Sequence, residues 1–269
     1  MRLSPLMATL ALFAATPVLA AERVPMAAHR ALYNLTLETV RGGDVGAATG
    51  TMAYEVTDAC DGWASRQRLS MTLTNRDGQD IQLVSDYATW ESKDGLSMRF
   101  RMRQTTDTAI TEQVEGSATL QADGQGGSVH YTVPEEKDVR LPAATLFPMR
   151  HTEAIIAGAQ DGKKFINVPI FDGTGDHGAQ DSFVVMSNWG PTVKSEFPDL
   201  AKLESGKVHV SFFDRTAKPS PDKLAGVPDY EVGMTYFANG VADDLHMDFT
   251  DFVMSGHLGE FTLTPPPHC

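Results

Sequence analysis

From residue 29 onward apolar and polar side chains alternate along most of this chain. In Leu96–Arg103 the residues Leu96, Met98, Phe100 and Met102 alternate with Ser97, Arg99, Arg101 and Arg103, the period-2 pattern of a strand with one dry and one wet face. Between Trp63 and Leu73 the apolar side carries Trp63, Leu69, Met71 and Leu73, and Arg66, Arg68, Thr72 and Thr74 fall on the other. The same alternation predicts strands over Ala31–Leu37, Met52–Val56, Val129–Val133, Val208–Phe212, Tyr230–Tyr236 and Leu245–Phe249. Turn signals separate these runs: Arg41-Gly42-Gly43-Asp44, Asn75-Arg76-Asp77-Gly78, Lys93-Asp94-Gly95, Asp123–Gly127 and Asn239-Gly240, where glycine and asparagine supply the positive φ that hairpins need.

One segment breaks the pattern. Pro148 suits the first turn of a helix over Met149–Gln160, Gly162 is placed to end it, and Ile155, Ile156 and Ala159 share an apolar side. Many hairpin-linked strands with one main helix predict an all-β fold. The expected architecture is a large antiparallel meander, curved into a half-open barrel with the helix across its concave side.

Composition adds the compartment. Arg2, the apolar stretch Leu6–Pro17 and the small-x-Ala site Val18-Leu19-Ala20 read as a cleavable secretory signal over residues 1–20. Its apolar run is too short to span a bilayer. No cysteine follows the cleavage site, so a lipid anchor is not expected. Residues 21–269 are then one exported domain, with the periplasm as the expected location and no membrane-spanning segment. The net charge of −13 argues against nucleic acid as a partner. In an oxidising compartment the two cysteines, Cys60 and Cys269, are expected to form one disulfide. CxxC spacing is absent, and His268-Cys269 offers a structural zinc only two of four ligands.

Candidate chemistry is sparse. Phe171-Asp172-Gly173-Thr174 is similar to the Asp-x-Asp-Gly-Thr loop of haloacid-dehalogenase phosphatases, but Ile170 and Phe171 precede Asp172 and no nucleophilic aspartate does. Asp172, Asp176, His177 and Asp181 fit no EF-hand or His-x-x-x-His spacing and read as a glycine-punctuated turn. The acids of Asp243–Asp248 read as the outer face of a strand. His151 has no nucleophile elbow or evident Ser/His/Asp set around it. No metal, cofactor or catalytic residue is expected.

The segment Leu141-Pro-Ala-Ala-Thr-Leu-Phe-Pro-Met-Arg-His151, the later Phe171-Asp172-Gly173, the run Tyr236–Phe249 and the terminal Cys269 resemble the EipB-like cell-envelope integrity proteins, a family typical of alphaproteobacteria. The resemblance covers the whole chain after the signal. It implies a periplasmic β-spiral of about fourteen strands around an internal helix, closed by a Cys60–Cys269 disulfide. Its overall shape would be similar to periplasmic lipoprotein carriers, and it brings no catalytic residue.

Three functions follow as expectations. Twelve methionines, with Met71, Met98, Phe100, Met102, Phe147, Met234 and Met247 as cleft or core positions, would form a deformable apolar interior suited to a lipid or lipidated protein. The Arg99, Arg101 and Arg103 stripe, with Arg66 and Arg68, would instead make an outer face that docks another periplasmic envelope protein. An envelope hydrolase is the third.

Overall fold

The computed structural model describes residues 24–192, 194–216, 226–249 and 251–269. The expected signal and most of the Pro219–Pro228 loop lie outside them. Strands β1 (His29–Val40), β2 (Val45–Asp58), β3 (Gly62–Asn75), β4 (Asp80–Ser92), β5 (Ser97–Thr106), β6 (Ala109–Leu120), β7 (Gly127–Val133) and β8 (Lys137–Leu141) follow one another, each paired with the last. After helix α1 (Pro148–Gln160) come β9 (Phe165–Ile170), β10 (Gln180–Pro191), β11 (Glu204–Asp214), β12 (Tyr230–Phe237), β13 (Ala242–Asp248) and β14 (Phe252–Leu263).

Among the described residues these fourteen strands form one antiparallel sheet in the order β8 through β1, then β14 back to β9. The large antiparallel meander expected from the sequence is built in two runs, one leading out from the centre and one leading back, joined where β14 pairs with β1. A sheet of this width must coil because each strand pair adds twist. It remains open between the edges β8 and β9. The chain itself bridges that gap: Leu146 N–H donates to Pro169 O (2.9 Å) and Phe171 N–H donates to Leu146 O (3.0 Å). This short parallel bridge to Ile170 satisfies part of an edge that would otherwise present bare backbone.

Helix α1 crosses the concave side. Met149 packs with Ala28, Val56 and Trp63, and Ile155 and Ala159 pack with Val184, Met186, Val208 and Val210. Pro148 occupies the first turn, as expected, and Gly162 ends the helix at φ +77. The residue at the N-cap, Phe147, has no side chain able to cap. Instead the carboxylate of Glu91, on the inner face of β4, accepts the N–H groups of Met149 (2.7 Å) and Arg150 (3.1 Å). A distant strand thus caps a helix whose own sequence cannot.

Burial pushes the Glu91 carboxyl up to about 7, against the opposite pull of those two N–H groups. One turn along, burial pushes His151 down to about 4. The two act in opposite directions on stability. Glu91 holds its proton in the folded state up to about pH 7, whereas unfolded glutamate loses it near 4.5, so its contribution falls as pH rises through that window. His151 stays neutral in the folded state, whereas unfolded histidine takes a proton below about 6.5, so its contribution falls as pH drops. Relative to wild type, Glu91→Gln should gain stability with rising pH between about 4.5 and 6.5, and His151→Gln should lose it, each by about 2 kcal/mol. Urea unfolding at several pH values measures both slopes, and parallel pH profiles for the three proteins would contradict the assignment.

Cys60 and Cys269 are joined, with Cα atoms 5.8 Å apart. Cys60 lies in the β2–β3 turn at φ +67. The bond does not clasp the open edges of the spiral. It ties the tail beyond β14 across the start of β1 to the β2–β3 turn, at the seam between the two meanders. Thr264 N–H donating to Ala28 O (2.8 Å) marks the crossing.

Candidate functional site

The interior divides into a filled half and a hollow one. Under β5–β8, Phe100, Tyr131, Phe147 and Phe171 pack edge to face, with ring centroids 5.2 Å apart for Phe100–Phe171 and 6.3 Å for Phe147–Phe171. Met98, Met102, Val114 and Val129 complete this cluster. The loop after β9 covers it. Tyr87 donates its hydroxyl to Asp172 O, Tyr131 donates to Gly175 O (3.2 Å), and Gly178 N–H donates to the Tyr131 oxygen (3.0 Å). Gly173, at φ +73, faces the Phe100 ring so closely that an added Cβ would lie 2.5 Å from it.

Under β1, β2, β12 and β13 the interior holds a cavity of about 320 Å³. Its wall includes Met26, Met52, Met149, Met234 and Met247, with Tyr33, Tyr54, Tyr230 and Tyr236. The Tyr33 hydroxyl is taken up by Ala242 O (2.8 Å). The Tyr54 hydroxyl has no hydrogen-bond partner among the described residues. Burial raises the pKa of both Tyr54 and Tyr236 above the usual phenol range, which keeps the wall uncharged. Buried His29, also on this wall, has its pKa lowered by burial, and its Nδ1–H donates to Ala27 O (2.7 Å).

Of the seven cleft-or-core positions expected from the sequence, Met234 and Met247 line this cavity. Met98, Phe100, Met102 and Phe147 belong to the filled cluster, and Met71 packs with Leu35 and Met254 beyond the cavity. Sequence reasoning missed Met26 and Met149, and it read Tyr33, Met52, Tyr54, Tyr230 and Tyr236 only as the dry sides of strands. The available signal was the tyrosine enrichment on inward positions of β1, β2 and β12, since a phenol on a dry face needs either a partner or space.

The other candidate groups are absorbed structurally. Asp172 accepts from Thr174 N–H (3.0 Å) and Thr174 Oγ1 (2.9 Å), closing its own turn, and burial raises its pKa. Asp176 pairs with Lys137 (2.7 Å) and Asp181 with Arg215. Among the described residues the group brought within metal-ligand reach is Asp243, Asp244 and His257, and Asp244 there also holds Lys207 (2.9 Å). Asp248, expected on an outer face, is buried and paired with Arg41 (2.5 Å). His151 Nε2 meets Ser182 Oγ at 2.9 Å, a pair the sequence did not reveal, but Ser182 is 0% exposed and donates to Val168 O (2.8 Å). The pair fastens α1 to β10.

On the outer face, Arg101 and Arg103 join Arg66 and Arg68 of β3 and Arg30 of β1 around a groove of about 560 Å³. Arg99 stands apart, stacked on Trp90 with its guanidinium carbon 4.6 Å from the ring centroid.

Comparison with known proteins places this architecture. The EipB-like family model matches residues 20–265. The cell envelope integrity protein EipB of Brucella abortus (strain 2308) is 31% identical over 247 residues, covering 89% of this chain and 85% of that protein. A crystal structure described as a beta-barrel-like protein of a domain of unknown function from Brucella abortus superposes with a TM-score of 0.80 at 26% identity, covering 90% of this chain and 100% of that one. The two-meander sheet, its internal helix and the length of the match lead to one conclusion: the chain belongs to the EipB-like family.

Proposed function

We propose that this protein is a periplasmic, non-enzymatic contributor to cell-envelope integrity that holds the apolar part of a lipid or lipidated protein in its methionine- and tyrosine-lined cavity. The envelope role rests on the name carried by its Brucella relative. The binding reading rests on one observation: the concave side of the sheet keeps a cavity of about 320 Å³, within the size range of ligand pockets. Five methionines on that wall supply a polarizable lining that adapts to irregular apolar guests. The free Tyr54 hydroxyl supplies a polar contact for a carboxyl or ester oxygen.

Native mass spectrometry with lipid extraction, followed by displacement of a fluorescent fatty acid, tests the reading. Val232 lies on the cavity wall, so Val232→Trp should fill the space and weaken fatty-acid binding about tenfold or more, while melting within a few degrees of wild type. Met234→Trp, on the same strand and wall, serves if the first variant unfolds. Protein that carries no lipid and gives no displacement would overturn the proposal.

A further inference from the structure

The groove on the outer face of β1–β5 uses arginine in a way the cavity does not explain. Cross-strand register places Arg30, Glu55, Arg66, Ala88, Arg101 and Glu115 in one row over six strands. The adjacent row runs Ala53, Arg68, Asp86 and Arg103. Three of the five arginines are occupied. Arg30 holds Glu55 (2.7 Å), Arg101 holds Glu115 (3.1 Å), and Arg68 grips both oxygens of Asp86 (2.7 and 2.9 Å). Arg66 and Arg103 have no carboxylate partner among the described residues. Both line the groove, Arg66 opposite Ala88 of β4 and Arg103 opposite Asp86, two residues along the same strand.

We propose that this groove is an oxyanion site for a compact phosphate group, with Arg66 and Arg103 as its principal ligands. Adjacent strands are about 4.8 Å apart, so Arg66 on β3 and Arg103 on β5 face each other diagonally across β4 and can converge over the methyl of Ala88, with Asp86 beside Arg103. The guanidinium fork fits phosphate or carboxylate oxygens in pairs, and on this face Arg68 Nη1 already donates to both oxygens of Asp86. The acids favour a compact ligand over an extended acidic polypeptide. Glu55 follows Arg30 in the row, Glu115 ends it and Asp86 stands beside its centre, so a polyanion crossing the strands would meet like charge, whereas one phosphate sits between two free arginines. In a chain of net charge −13, such a local excess of cation is where an anion is drawn. The site is on the opposite face of the sheet from the cavity, so either can fail without the other.

The phosphate could belong to a soluble phosphorylated solute or to a phospholipid headgroup, and two arms separate them. In low-salt buffer, inorganic pyrophosphate titrated into ¹⁵N-labelled protein should shift the Arg66 and Arg103 Nε–Hε resonances saturably. Arg66→Ala/Arg103→Ala should weaken binding about tenfold or more, and Asp86→Asn, which frees Arg68, should tighten it a few-fold. These positions are exposed, and wild-type melting of each variant confirms that the fold is intact. Flotation with phosphatidylglycerol vesicles but not phosphatidylcholine vesicles, competed by pyrophosphate, assigns a headgroup. Pyrophosphate binding without flotation assigns a soluble solute. No saturable pyrophosphate binding, or binding unchanged in the double variant, overturns the proposal, as does polyglutamate binding through these arginines without any pyrophosphate effect.

Discussion

Replacing Cys60 or Cys269 with serine is expected to lower the unfolding free energy by about 5 kcal/mol. The bond closes a loop with a sequence separation of 209 residues, and in the chain-entropy model cross-linking so long a loop removes much of the freedom of the unfolded chain. Its place adds a local effect. Beyond Thr264 the tail residues Pro265, Pro266, His268 and Cys269 are exposed, so the disulfide is what keeps the tail across the start of β1. The β1–β14 seam is the junction between the meanders, and fraying there loosens both. For a domain of this size the loss corresponds to about 10–20 °C in Tm. Thermal unfolding of oxidised wild type and of each serine variant measures it, and coincident transitions would contradict it. Limited proteolysis of the variants should begin at the C-terminal tail.

Phe171→Ala is expected to cost about 3–5 kcal/mol, the range for deleting a fully buried aromatic ring. Phe171 is 0% exposed and touches the rings of Phe100, Tyr131 and Phe147 together. Its backbone also holds Leu146 where the chain bridges the open edges. Removing the ring should therefore loosen the covering loop as well as leave a cavity. Chemical denaturation gives the free energy, and hydrogen exchange should show lost protection at Gly178, whose N–H the Tyr131 oxygen accepts. A loss below about 1 kcal/mol would mean the cluster collapses around the gap. The Phe171-Asp172-Gly173-Thr174 motif, similar to a phosphatase loop in sequence, is on this account a packing device. Gly173 is glycine because the Phe100 ring occupies the space of a side chain.

Strands with uninterrupted alternation were readable. Met98, Phe100 and Met102 are buried and Arg99, Arg101 and Arg103 exposed, as the pattern of β5 requires. Strand β4 was hidden because its inner face carries Tyr87, Thr89 and Glu91. Each is polar and each is satisfied by a partner far away in sequence: Asp172 O, Ser65 Oγ and the N-terminus of α1. Strand β14 was hidden because its register slips twice against β1 and Gly256 interrupts its apolar side. Pattern reading assumes that inward means apolar, and it fails where tertiary hydrogen bonds let a polar group face inward.

The amino-acid order alone determined which face of each clear strand is dry, where the hairpins turn, where helix α1 begins and ends, and that the two cysteines should pair. The strand faces, hairpins and helix ends depend on neighbours a few residues apart, through side-chain alternation and turn geometry, whereas the cysteine pairing was expected from a signal-like N-terminus and an even count of two. Only the tertiary structure decided that β14 lies beside β1, that Glu91 caps α1, that the disulfide ties the seam and not the open edge, and that the methionine-rich interior is filled at one end and hollow at the other. Alternation assigns a residue to a face but not to a partner. Whether an inward methionine meets a ring, a helix or empty space depends on where α1 and the loop after β9 cross the sheet.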